Sequence, residues 1–388
     1  MHDVDYYLAN YPAPVFCFTP DAEFPVCNGE KGHFDGKLVS PVCNGIIRDF
    51  VGGVATNAVP DRASALVATD ITKLRNAPNI TLEPEGDGVR IRGWGKSGHA
   101  AMPEGTVNAI GLVVNYLLDN GLCNDAERAY LEAVKKLHDS TAGVGLGIDC
   151  ADGPFGPLTI IGGKMSMVDG RMVQTMDSRY PTCTDGDTIA KQIRAAIGTG
   201  AELTDVGSAK PFYIEADTPA IKACIDTYNE VTGENATPFT MGGGTYARHF
   251  PYAVSFGPEH SDMVLPEFGG PMHGANEAAP IDKLLEALKN LYHRSAAAGG
   301  DRLLSRVRVL VIDGQGGGLG RQLTAALAAG CPDIELNRRG NQQHRGFGHA
   351  QGGRTPRRHR RKCRGSQLPP GGHHRRPHRH RHRRFAAG

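Results

Sequence analysis

The chain has 388 residues, 43 Lys+Arg against 41 Asp+Glu and a formal net charge of +2, and no run reaches the roughly 18 apolar residues of a membrane span. That near-neutral sum joins two unlike parts: residues 337–388 hold 15 Arg, one Lys, eight of the 16 His and no acid, a charge of +16, which leaves −14 on residues 1–336. With 40% hydrophobic residues the chain can bury cores for roughly two or three domains, and its acidic start, MHDVDYYLANYP, lacks the basic and apolar regions of a signal peptide.

In chain order, residues 3–9 read as the end of a helix. Residues 15–18 read as a buried strand running into a Pro-rich loop, Thr19-Pro20-Asp21-Ala22-Glu23-Phe24-Pro25. Strand patterns follow at 37–43, 64–68 and 89–93, and apolar residues at helical spacing at 107–118 and 126–137. Residues 158–161 and 171–176 form a predicted hairpin joined through the turn signal Asp169-Gly170, and 188–197 reads as a helix. Strands with helices on two sides predict an α/β sandwich of the ferredoxin-like kind over residues 33–212.

A helix over 219–232, begun by the cap signal Asp217-Thr218, leads to a Gly-rich loop at 241–245. A further loop covers 256–277, and an amphipathic helix covers 281–295. Residues 307–312 are a continuous apolar strand, followed by Asp313-Gly314-Gln315-Gly316-Gly317-Gly318-Leu319-Gly320 and a helix to about residue 329. Gly314, Gly318 and Gly320 fit a dinucleotide-type turn, but the pattern ends after one strand and one helix. Residues 301–336 are therefore expected to be a truncated Rossmann-like βα unit rather than a working nucleotide site. From residue 337 on there is no Ile, Val, Met, Tyr or Trp, so a disordered Arg/His-rich tail is expected. Two readings of that tail compete: a nucleic-acid-binding arm, or out-of-frame translation of GC-rich DNA. The abrupt change of composition inside a domain-like pattern favours the second.

Nine Cys, an odd number with no CxxC, indicate neither a disulfide framework nor a thiolate zinc site, and a reduced cytoplasm is expected. Four clusters carry candidate chemistry. Asp21 follows a buried strand, where metal ligands often sit, although Asp in a Pro-rich loop is usually a turn residue. His99 lies in Gly95-Lys96-Ser97-Gly98-His99-Ala100-Ala101-Met102-Pro103-Glu104-Gly105, a loop able to present an imidazole, or a surface His near a helix start. Arg179, in Asp177-Ser178-Arg179-Tyr180-Pro181, can fork onto a carboxylate or make an ordinary salt bridge. Gly242-Gly243-Gly244-Thr245-Tyr246-Ala247-Arg248 can form an anion nest, and His273 in Pro271-Met272-His273-Gly274-Ala275-Asn276-Glu277 suits a metal ligand; each can also be a turn.

Taken in this order, with Asn28-Gly29-Glu30-Lys31-Gly32, these motifs resemble the dinuclear-zinc dipeptidases of the PepV and Sapep type, relatives of carnosinases and aminoacylases. The resemblance covers about residues 1–298. It implies a phosphorylase/hydrolase-like catalytic domain, here residues 1–32 and 213–298, interrupted by a lid domain, residues 33–212. It implies metal ligation by Asp21 on one zinc and His273 on the other, and oxyanion stabilisation by His99. Arg179 would hold the substrate carboxylate and Asn57 would reach the substrate. Gly242, Gly243, Gly244, Thr245 and Arg248 would line the pocket. Two zinc (or manganese) ions, a short peptide substrate, a monomer and a cytoplasmic location follow, with no membrane and no nucleic acid expected.

The sequence departs from that pattern in lacking the H-x-D motif, the bridging Asp and the adjacent Glu-Glu pair that precede T-P-D. Two isolated ligands do not build a dizinc centre. The chain as given is thus expected to be an inactive fragment of a metallodipeptidase, with Met1 an internal start in a longer gene. The alternatives are a peptide-binding protein without catalysis, and a nucleic-acid-binding protein acting through the tail.

Overall fold

Period-two burial organises most of the chain. In the computed structural model, which describes residues 2–260, 262–269, 276, 278–297, 308–313, 325 and 335–340, strand Gly32–Val39 buries Phe34 and Leu38 and carries the more exposed His33, Asp35 and Lys37 on its other face. It belongs to an eight-stranded sheet ordered Glu202–Ala209, Gly32–Val39, Arg171–Tyr180, Thr159–Val168, Ile47–Gly52, Arg62–Val67, Gly88–Trp94, Ile80–Glu85. Every neighbouring pair is antiparallel. The predicted hairpin is present: Thr159–Val168 and Arg171–Tyr180 are joined by Asp169 and Gly170, with φ of 48° and 70°. Two successive positive φ angles are what a two-residue turn needs to match strand twist.

Three helices, Ala109–Asp119, Asp125–His138 and Gly186–Ile197, lie where helical spacing placed them, within about two residues. They start on side-chain caps: Asn108, Asn124 and Asp185 accept from the N–H of Ile110, Glu127 and Thr188, each cap stabilising by about 1 kcal/mol. Their apolar stripes (Ile110, Val113, Leu117; Tyr130, Leu131, Val134; Ile189, Ile193) share one cluster with Phe34, Phe50, Ile91 and Met176 of the sheet. Burying each large side chain stabilises by about 1.5–3 kcal/mol. The helices therefore cover one face of the sheet, not two, because a single alternating set of strand residues supplies their whole packing surface.

The sheet has three strands the sequence pattern missed. Ile80–Glu85 and Glu202–Ala209 are its edges, and of their residues only Leu203 is buried. An edge strand tolerates charge and even Pro84, so it lacks the apolar signature of a central strand. In Ile47–Gly52 the alternation is interrupted by a register shift between Ile47 and Asp49.

A second, five-stranded sheet runs Cys17–Thr19, Ala253–Ser255, Cys27–Glu30, Phe212–Tyr213, with Phe239–Met241 also on Cys27–Glu30. Helices Pro219–Thr232 and Ile281–Ala297 cover it through Ile221, Cys224, Tyr228, Ala287 and Leu291, packed on Phe24, Val26, Val254 and Phe256. The expected cap at Thr218 sits at the N-cap position, but its side chain makes no capping bond; Pro219, lacking an N–H, serves as the first helical residue instead.

The chain crosses between the sheets twice. Lys31 alone separates Cys27–Glu30 from Gly32–Val39, and residues 210–211 separate Glu202–Ala209 from Phe212–Tyr213. Farther on, Arg308–Asp313 pairs in parallel with Glu335–Gly340. This corrects the expectation that the pattern stops at one strand and one helix: Asn337, Arg338, Arg339 and Gly340, assigned above to the tail, belong to a second parallel strand. The glycine run after Asp313, most of its following helix and residues 341–388 lie outside the described residues. Among the described residues no helix is long and apolar enough to cross a membrane, and Cys17, Cys27, Cys43, Cys123, Cys150, Cys183 and Cys224 are unbridged.

Candidate active site

The crossing from one sheet to the other places Arg179 against the Gly242–Thr245 loop. Arg179 lies opposite His33, one residue from the Tyr180–Gly32 pair that ends the large sheet. Asp177 and Arg179 are two apart on a strand and share a face. The Arg179 Nε donates to Asp177 Oδ1 at 2.9 Å and Nη2 to Oδ2 at 3.2 Å. His33 Nε2 lies 3.0 Å from the same Oδ2. Burial works to raise the Asp177 pKa, but the His33 hydrogen bond and the Arg179 charge outweigh it, so the carboxyl sits below its usual range. Arg179 Nη1 also donates to the Gly242 carbonyl at 3.3 Å. Three of the five guanidinium N–H groups are thereby engaged, leaving two on the terminal nitrogens.

The Gly242–Thr245 loop is fixed from inside. Glu30, fully buried at the end of Cys27–Glu30, accepts the Thr245 N–H at 3.0 Å and its hydroxyl at 2.6 Å on Oε1. Glu30 Oε2 accepts from Arg248 Nε at 2.8 Å, and Arg248 Nη2 donates to the Lys31 carbonyl at 2.7 Å. Arg248, implied as a pocket residue, thus turns its guanidinium inward under the loop: a Cβ at Gly244 would lie 3.3 Å from its Cζ. Ala247 N–H donates to Thr245 Oγ1, whose proton goes to Glu30, so the Ser255 hydroxyl 2.8 Å away donates to Thr245. Among the described residues the N–H groups of Gly243 and Gly244 donate to no protein acceptor. They remain available as an anion nest.

Asn57 and His99 arrive on one short ladder. Gly98–His99 pairs antiparallel with Ala58–Val59, and the Ala100 N–H donates to the Asn57 carbonyl at 3.0 Å. Both side chains are exposed. The Ala101 N–H donates to His99 Nδ1 at 3.1 Å, which puts the proton of a neutral ring on Nε2. Ala101 packs so closely on the glycine loop that a Cβ at Gly242 would stand 2.9 Å from the Ala101 Cβ. Arg179 and Ala101 thus both meet Gly242, which brings Arg179 and the ladder carrying Asn57 and His99 to the same end of the glycine loop.

Of the predicted metal ligands the structure describes one. Asp21 is an exposed residue between Cys17–Thr19 and Ala22–Glu23, and His273 lies outside the described residues. Among the described residues no group of three or more His, Cys, Asp or Glu side chains could hold a metal ion. Since zinc takes three or four protein ligands, the described residues by themselves do not complete a zinc centre. Sequence reasoning missed His33, Asp177 and Glu30. Asp177 was signalled by its two-residue spacing from Arg179; His33 and Glu30 reach their partners only through pairing across the fold.

No protein-family model matches the chain. It is 29% identical over 302 residues to YtjP of Bacillus subtilis, a dipeptidase by name, covering 73% of this chain and 64% of that one. It is 29% identical over 303 residues to the Beta-Ala-Xaa dipeptidase of Lactobacillus delbrueckii subsp. lactis, covering 73% and 62%. The chain thus spans somewhat less than two thirds of the length of either relative. The solved aminoacylhistidine dipeptidase from Vibrio alginolyticus overlays loosely, with a TM-score of 0.38 at 13% identity over 71% of this chain and 64% of that one. By sequence, the chain is similar to bacterial dipeptidases, the proteins its motifs resemble.

Proposed function

We propose that this chain supplies the substrate-holding part of a metal-dependent dipeptidase, and that Arg179 with the Gly242–Thr245 loop captures the C-terminal carboxylate of a short peptide. The observation that carries this is the orientation of Arg179. Asp177 locks its Nε edge, and N–H groups on its terminal nitrogens remain at the Gly242 end of the loop. A planar pair of N–H donors matches a carboxylate, and the Gly243 and Gly244 N–H groups add neutral donors beside it. The ladder carrying Asn57 and His99 meets the same glycine through Ala101, and His99 would stabilise the oxyanion formed from the peptide carbonyl. In this reading residues 33–212 act as the lid and residues 1–32 and 213–298 as part of the catalytic body, in a monomeric cytoplasmic protein.

Zinc or manganese would supply the activated water in such an enzyme, with Asp21 and His273 among the ligands. The described residues do not complete that set, so water activation is assigned to none of them. The test is calorimetric titration with a dipeptide and with its C-terminal amide. Preference for the free carboxylate is expected; equal binding of the two overturns the assignment.

A further inference from the structure

The buried Glu30 cluster calls for more than a packing role. A run of three glycines has no side chains to pack, so its shape must be imposed from its ends. Strand Cys27–Glu30 controls the approach: Phe239–Met241 pairs on it in parallel, and the Lys31 N–H donates to the Met241 carbonyl at 2.9 Å. The Glu30 carboxylate controls the exit through the N–H and hydroxyl of Thr245. The same carboxylate places Arg248 beneath Gly244. Apart from the Arg179 and Ala101 contacts at Gly242 and the Ser255 hydroxyl on Thr245, the hydrogen bonds that hold the loop run through one strand end. A buried ion pair such as Glu30–Arg248, with side chains 0% and 14% exposed, is a poor source of stability compared with apolar residues of the same shape. What it does provide is a single geometry.

We propose that Glu30 is a positioning residue for carboxylate capture: it holds the Gly242–Thr245 loop at the height where its N–H groups and Arg179 meet one anion. This rests on the carboxylate reading above. The experiment measures dissociation constants for a dipeptide and its C-terminal amide with the parent protein, Glu30→Met/Arg248→Met and Thr245→Val, alongside thermal unfolding. The double substitution removes both buried charges together, so neither is left unpaired. Thr245→Val keeps the shape and deletes one hydroxyl, which covers the case in which the double variant does not fold.

The expected result is a preference for the free acid, read as the ratio of the amide to the acid dissociation constant, that falls about tenfold in the double variant and about threefold in Thr245→Val. A folded double variant that keeps the full preference overturns the role of Glu30. If the double variant does not fold, an unaltered preference in Thr245→Val overturns it. If instead the parent protein shows no preference, the carboxylate reading itself fails, and that outcome is seen before any variant is made.

Discussion

The replacement of Arg179 by Lys tests the site where its geometry is most demanding. In the proposed function Arg179 serves two anions at once: Asp177, which it meets on the Nε edge, and a peptide carboxylate on what its terminal nitrogens have left. A lysine ammonium is a single point and cannot span both. It would settle on Asp177, whose side chain is only 5% exposed, and the peptide would lose one or two charge-assisted hydrogen bonds. At about 1.5–3 kcal/mol for each bond to a charged group, the dipeptide Kd should rise about 10- to 100-fold. Binding of the C-terminal amide should barely change.

Lys is the right replacement because it keeps Asp177 paired. Arg179→Met would leave that buried carboxylate with His33 alone, and breaking such a pair costs about 3–5 kcal/mol of stability. The assay is isothermal titration with acid and amide at constant pH, with a melting curve to show that the variant stays folded. An Arg179→Lys protein that binds the acid as the parent does refutes the reasoning, since the fork would then have no role beyond its charge.

Gly242→Ala should weaken carboxylate binding with little change in melting temperature, because the new methyl stands 2.9 Å from Ala101 and pushes the loop from the His99 hairpin; parallel titration and calorimetry check it. Gly162→Ala should instead destabilise the fold by about 1–3 kcal/mol, since its Cβ would meet the buried His138 ring at 2.6 Å, as denaturant unfolding would show. Burial depresses His138 to about 4. The native ring stays neutral while the unfolded ring takes a proton below about pH 6.5, so its contribution is intact above that pH and is lost as pH falls toward 4, by about 3 kcal/mol. A His138→Met variant should lose that much less over the same interval by calorimetry; an unchanged slope would count against it.

The sequence alone determined the kinds of element and the resemblance. Helical spacing located Ala109–Asp119, Asp125–His138 and Pro219–Thr232, since one-sided burial leaves a period in the apolar residues. Asp169-Gly170 located the hairpin, since few dipeptides accept two positive φ angles. The order of the motifs pointed to the dipeptidases, and Asn57, His99, Arg179 and the glycine loop were all named from it. Which face the helices cover, which charged strands form the edges, and that Arg338 and Arg339 lie in a strand rather than a tail were decided by tertiary pairing. So were the partners that give the site its geometry. Glu30 and Arg248 are far apart in sequence yet 2.8 Å apart in the fold. A polar side chain carries no mark of what it will meet, whereas an apolar one carries its period. The sequence could therefore name the groups proposed to touch a peptide, while only the folded chain shows the buried carboxylates, Asp177 and Glu30, that hold Arg179 and the glycine loop in place.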